Sequence, residues 1–447
     1  MVESELSPVS QSPRWRLWYL SYIFSNVSGG VLTPMIPLFI SFYFHRGVVF
    51  VGIASSLSSL SSVLALILWG NISDNVMKRK IFVLIGFFGS FISLLFIIFT
   101  NTIYSYIGIL VLFQFFSMAS VPDSTLLVIE NEHESQWAKT VSVFSAISTI
   151  GTVGGLTLGL IIVLNDSSSV STLKDIYLMG SLIYLVAFFL AFFLLRESKV
   201  KVKRSSLSGL FSIRTFERTR YAPSYVIHVI KLFGRKKGVK IGRDLWLYLL
   251  LSGFLMVGFQ TYFTPYPVFL IENYHASEGV VYTMYLLNSA FSVVSFNMAS
   301  GYIRRLSLEK AIYIPLIIRM VVFSLTSIIP FLGLVSFGFM IIVVLVYGAM
   351  GFVWSFIGIT QITKVTKLAD KNTRGRAIGY YNSILGSGQI LGAFISGFIV
   401  TSFGYTGDFL IASLMVGIGF VGSFVLNKSK INLNREPNSS KTEKISE

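Results

Sequence analysis

Two ionisable side chains fall deep inside apolar stretches of this sequence: Asp123 in SMASVPDSTLL and Arg319 in PLIIRMVVF. A carboxyl taken out of water can load and release a proton, and a guanidinium held in hydrocarbon needs a partner. A third group of charges interrupts two apolar runs in GNISDNVMKRK (Gly70–Lys80), where Asp74 is followed by Lys78, Arg79 and Lys80. No histidine lies within an apolar stretch, and there is no cysteine, which excludes disulfides, thiolate catalysis and cysteine metal sites. Acids, histidines and metal ligands do not converge, and no nucleotide-binding glycine loop occurs. The sequence therefore does not read as an enzyme, and it implies no metal or cofactor. Proton transfer and ion pairing remain. Further polar groups in apolar stretches are Asn26, Gln114, Gln260, Tyr262, Tyr347 and Trp354. A few such groups on an apolar wall suit a small-molecule site, although each could equally hydrogen-bond one helix to another.

The elements that must position these residues are membrane helices. The 447 residues are 53% hydrophobic and only 13% charged, about half the charged fraction of a soluble domain. Mean hydropathy is +0.73. Twelve segments are long enough to cross about 30 Å of hydrocarbon as helices: 17–44, 47–70, 81–100, 103–129, 140–164, 174–195, 245–271, 279–302, 309–332, 335–362, 377–402 and 407–426. Net charge is +16, and its distribution matters more than its size. The stretch 196–243 carries 14 basic residues against two acidic ones, and 363–376 is also basic. On the opposite face the only bases are Arg46 and Lys174, beside Asp166, Asp175, Glu272, Glu278 and Asp408. Lys and Arg gather on the cytosolic side, so both termini are expected in the cytosol of a multi-pass plasma-membrane protein. The charge is thus expected to meet anionic lipid headgroups at the basic loop rather than nucleic acid.

The chain also repeats itself. TPMIPLF at 33 matches TPYPVFL at 264, GVVF at 47 matches GVVY at 279, and Gly70 matches Gly301. GTVGGLTLG at 151 matches the glycine-rich run near 388. The expected fold is an all-α integral membrane protein with two pseudo-symmetric six-helix bundles. Its divisions are a cytosolic N-terminus (1–16), a first bundle (17–195), a basic central loop (196–243), a second bundle (244–426) and a disordered cytosolic tail (427–447).

GNISDNVMKRK resembles the helix 2–3 loop motif of the major facilitator superfamily. Gly70, Asp74, Lys78 and Arg79 match, while Asn75 and Met77 depart from it. In the second half Gly301 stands, but Arg305 takes the acid's place. GTVGGLTLG is similar to the family's glycine motif in helix 5, with Gly151, Gly155 and Gly159 in place and Leu156 where proline is usual. The resemblance implies alternating access. Gly70, Asp74, Lys78, Arg79 and the three glycines would be gating residues, with Asp74 docking at the start of helix 11. It implies a cavity lined by helices 1, 4, 7 and 10, which makes Asp123 in the fourth span the candidate for proton coupling. The arginine common in the first half of helix 4 of family exporters is replaced here by Gln114.

The function expected is secondary transport of a small molecule, as proton-coupled export of an amphipathic or lipophilic compound. The alternatives are uptake of a sugar or organic acid, and a membrane sensor that does not transport.

Overall fold

The structure is a computed structural model and describes residues 17–76, 78–130, 137–165, 170–197, 242–305, 308–369 and 374–433. The side chains of some helical residues, among them Asp74, Gly301 and Arg305, also lie outside this description, as do both chain ends and most of the basic loop.

All regular structure among the described residues is helical. α1 (Tyr19–Leu32) is interrupted at Thr33–Pro34 and continues as α2 (Met35–Leu38) and a π-helical turn (Phe39–Tyr43). α3 (Val48–Val76), α4 (Arg79–Ile97), α5 (Ile103–Glu130), α6 (Trp137–Asn165) and α7 (Val170–Leu194) follow. The pattern then restarts. α8 (Arg243–Phe263) breaks at Thr264–Pro265 and resumes as α9 (Tyr266–Tyr274). Then come α10 (Glu278–Arg305), α11 (Leu308–Phe331), α12 (Phe337–Leu368) and α13 (Arg374–Leu433). Proline lacks the N–H that would continue the helix ladder, so each Thr-Pro pair breaks its helix at the same place. Each broken helix then turns on a histidine in the left-handed region, His45 (φ 49°) and His275 (φ 51°), 230 positions apart. This is a strained conformation for a non-glycine residue, and it recurs at the spacing of the sequence repeat.

Ten helical segments among the described residues are long and apolar enough to cross a membrane. The last, Ala377–Leu426, spans 50 residues and bends at Gly404, whose φ of 68° and ψ of 178° suit essentially only glycine. α10 is 28 residues long but less apolar, and is not among the ten. Large apolar side chains such as Ile150, Phe193, Phe337 and Phe403 are exposed all round the molecule, as lipid contact requires and water would not allow. The chain is an all-helical membrane protein.

α1 packs on α6 and α7, α3 on α5, and α4 on α5 and α7. In the second set α8 packs on α13, α10 on α12, and α11 on α12 and α13. The sets meet through α3 with α13, α6 with α10, and α2 with α9. In α3 the run SSLSSLSS supplies small contact groups: Ser61 donates to the Val111 carbonyl (2.7 Å) and Ser56 to the Ile390 carbonyl across the two sets (3.0 Å).

Candidate functional site

Asp123 is wholly buried in α5, one residue after Pro122. It accepts a hydrogen bond from the Ser73 hydroxyl and pairs with Arg79 Nη1 at 3.4 Å. Arg79 Nη1 also donates to the Ser73 carbonyl (3.1 Å) and to its Oγ (2.8 Å). Of the three cations in the motif, only Lys78 and Lys80 remain at the surface. Arg79, grouped with them in the sequence as inside charge, is instead 1% exposed. The reason is local: α4 begins at Arg79, which turns this side chain between α3 and α5, where a charge can stay only if paired. Glu197 accepts from the backbone N–H groups of Arg79 (3.2 Å) and Lys80 (2.8 Å), placing a carboxylate on the positive end of the α4 dipole. Gly70 is buried, while the Asp74 side chain is outside the described residues.

The glycine stripe of α6 is where helices come closest. A Cβ at Gly151 would lie 2.8 Å from the Ile23 carbonyl oxygen, and one at Gly155 would overlap the Val27 carbonyl, both on α1. A Cβ at Gly159 would strike the ring of Tyr282 on α10, in the other set. The second half copies this contact: Gly388 sits on the Gly253 carbonyl and Gly392 on that of Val257. Only residues without a side chain permit such backbone-to-backbone approach.

The remaining polar candidates separate. Asn26 donates to the Tyr22 carbonyl of its own helix (2.6 Å), and Gln114 accepts from Ser62 (3.2 Å). Tyr262 is buried in the second set, bonded to Thr326 (3.0 Å) and stacked on Phe323 at 3.7 Å. Gln260 is half-buried against Gly392. Tyr347 packs on Phe263, Tyr266 and Tyr285. Trp354 meets Phe259 edge-on, and both join Phe263 around the Arg319 guanidinium, at 4.1 Å (Phe259), 5.2 Å (Phe263) and 5.3 Å (Trp354). Arg319, 1% exposed, is thus held by aromatic faces, a favourable arrangement for a desolvated cation. The structure brings Tyr347 and Trp354 to one aromatic wall, and Gln260 packs on α13 instead. Asn26, Gln114 and Tyr262 each make a hydrogen bond within their own set.

Among the described residues, the close contacts between the two sets lie toward the end opposite Asp123: Ser56 with Ile390, Gly52 with Ala393, Gly397 with Val49, Gly159 with Tyr282, and Gly279 with Leu164. Tyr282 donates to the Val31 carbonyl at 2.6 Å. At the same end an open cleft of about 490 Å³ is lined by His45, Arg46, Phe50, Glu272, Thr401 and Tyr405. α3 is 29 residues long, which puts its two ends about 43 Å apart. Tyr282→Phe is expected to cost about 1 kcal/mol of this closed end, roughly a fivefold shift in population. Labelling of a cysteine introduced near Val31 reads the change; an unaltered labelling rate would mean the bond is incidental.

The sequence reading missed Ser73, Glu197, Tyr282 and the burial of Asp408. Ser73 stood inside the motif, and Tyr282 was visible as the hydroxyl that GVVY adds to GVVF. Asp408, expected among the acids of the outer face, is instead fully buried one turn past the Gly404 bend.

The sequence matches the family model described as Major Facilitator Superfamily over residues 18–389 and 362–446. Similar solved structures include the nucleoside transporter NupG, 14% identical, covering 93% of this chain and 99% of that one at a TM-score of 0.67. A bacterial homolog of the human lysosomal transporter Spinster, inward-facing and occupied, is 11% identical, with 95% and 98% covered and a TM-score of 0.69. A POT family transporter in complex with 5-aminolevulinic acid is 12% identical, with 96% and 98% covered and a TM-score of 0.73. At these identities the likeness concerns the fold. No curated protein matches the sequence.

Proposed function

The chain belongs to the major facilitator superfamily, and from that premise we propose that it is a secondary transporter that moves a small amphipathic or lipophilic compound out of the cell against protons, by alternating access. The observation that carries the reading is the arrangement of cross-set contacts. α3 with α13 and α6 with α10 are equivalent pairs, and their close approaches among the described residues cluster at one end. Two bodies hinged in this way can close one end while the other opens. In this reading α10 counts as a span and the last helix divides at Gly404, which makes two sets of six. The charge pattern of the sequence assigns the closed end to the outside, which supports an inward-open state. The glycines 151, 155 and 159 serve as the sliding contact, and Gly70, Asp74, Lys78 and Arg79 as the cytosolic latch.

Asp123 is the proton-coupling residue in this reading. Loading a proton there would weaken its pair with Arg79 and free α4 and α5 from α3. The aromatic wall of Phe259, Phe263, Tyr347 and Trp354 supports an amphipathic rather than a strongly polar substrate. Asn26 and Gln114 are proposed as the facing polar contacts, and Tyr262 as support for the wall.

The test is a thermal-stability screen of the purified protein against lipophilic cations, sugars, organic acids and amino acids. A ligand at 100 times its dissociation constant is expected to add about 2.7 kcal/mol. Stabilisation by lipophilic cations supports export of such compounds. Stabilisation only by sugars or organic acids replaces it with uptake, and silence across the panel favours a sensor.

A further inference from the structure

Asp408 is a buried acid with no part in the transport cycle proposed for Asp123. It lies in the second span of α13, is 0% exposed, and neither carboxylate oxygen has a hydrogen-bond partner among the described residues. One turn earlier on the same helix, Tyr405 lines the cleft and donates its hydroxyl to Glu272 at 2.7 Å. Glu272 is exposed in that cleft. Tyr405, fastened across to the end of α9, thus lines the cleft one turn from Asp408, which is not among the cleft's lining residues. The bend at Gly404 lies beside Tyr405.

The other titratable groups around this turn are few. The α8–α9 segment presents Tyr262, Tyr266 and Tyr274 besides Glu272, and α12 presents Tyr347. α11 carries none after Arg319, and the first turns of α3 carry none. His45 and Arg46 face the same cleft from the first set. No cation is hydrogen-bonded to Asp408 among the described residues, and a carboxylate buried without such a partner is costly, whereas the neutral acid is tolerated.

We propose that Asp408 is a proton-binding site, loaded from the His45–Glu272 cleft when the Tyr405–Glu272 bond opens. The proton comes from water in the cleft. The neutral acid is sealed in when the two sets close, and its proton is released to the same water when they part. The inference rests on the transporter reading and deepens it: the second set carries its own proton site, at the end opposite Asp123. Closure of this end then requires a proton on Asp408, and an acidic outer face favours it.

The experiment uses the full chain in lipid nanodiscs. Infrared spectra across pH 5–9 follow the carbonyl stretch of protonated carboxyl groups. The chain has no cysteine, so Asn101→Cys with Val335→Cys places one spin label on each set at the cleft end. A protonated-carboxyl band that fades as pH rises is expected, and Asp408→Asn removes it while Asp123→Asn does not. Tyr405→Phe, which keeps the ring but frees Glu272, is expected to speed deuterium exchange of that band. The label separation is expected to widen at high pH in the parent and to stay short at every pH in Asp408→Asn, the neutral mimic. A band that survives Asp408→Asn, or one that Glu272→Gln removes instead, overturns the proposal. A band that behaves as expected with a separation fixed at all pH values upholds the proton site and overturns its coupling to closure of this end.

Discussion

Arg79→Ala is expected to cost about 3–5 kcal/mol of stability and to abolish transport. The substitution leaves the Asp123 carboxylate fully buried without the guanidinium that balances its charge. It also removes the group that binds Ser73 at both its carbonyl and its hydroxyl, so α3, α4 and α5 lose their shared contact at once. Asp123→Asn is expected to be gentler on stability, because an amide can still accept from Ser73, and harsher on coupling. Proton-driven accumulation should vanish while counterflow persists. The double variant Arg79→Met with Asp123→Leu is expected to regain most of the stability and none of the accumulation, since an apolar pair can replace a buried ion pair but cannot carry a proton. Thermal unfolding of the purified variants and uptake into proteoliposomes separate the two effects. An Arg79→Ala protein as stable as its parent would show that the ion pair does not hold the three helices. Accumulation by Asp123→Asn would remove Asp123 from coupling.

The second large effect is expected at Gly155. In Gly155→Val, the Cβ and its methyls meet the Val27 carbonyl and the Val31 amide, which are backbone atoms of α1 and cannot turn aside as a side chain would. Overpacking of this kind costs about 1–3 kcal/mol, and here the strain falls on the contact by which α6 is proposed to slide on α1 within the first set. Turnover is expected to fall more than tenfold. Gly392→Val, at the equivalent contact with Val257, should do the same from the other half. Gly154→Ala provides the control, because a Cβ there meets nothing within 4 Å. Full activity in Gly155→Val would mean that α1 and α6 part freely, and the glycine stripe would be only packing.

The equivalence of Gly155 with Gly392 was partly legible in the sequence, because the glycine-rich runs at 151 and 388 align. Their shared kind of partner was not: it is the carbonyl of a residue more than a hundred positions away, and carbonyls leave no mark in the sequence. The Thr-Pro breaks were legible because proline acts through its own backbone. The histidine turns that follow them were not, since a left-handed histidine is imposed by the chain around it.

By itself the sequence determined that this chain lives in a membrane, where along the chain its positive charge gathers, that segments of it repeat, and that Asp123 lies in apolar surroundings. Those features are set by composition and local spacing, which hydrocarbon and backbone chemistry read directly. Only the tertiary structure decided which way each charge turns. Arg79 and Lys80 are neighbours in one motif, yet one is buried on Asp123 and the other reaches the Phe192 carbonyl at the surface. Arg319 meets three rings from two other helices, and Asp408 is buried one turn from a tyrosine tied to α9. A buried charge takes its partner from whichever helix packs opposite, and helix packing is a property of the whole chain.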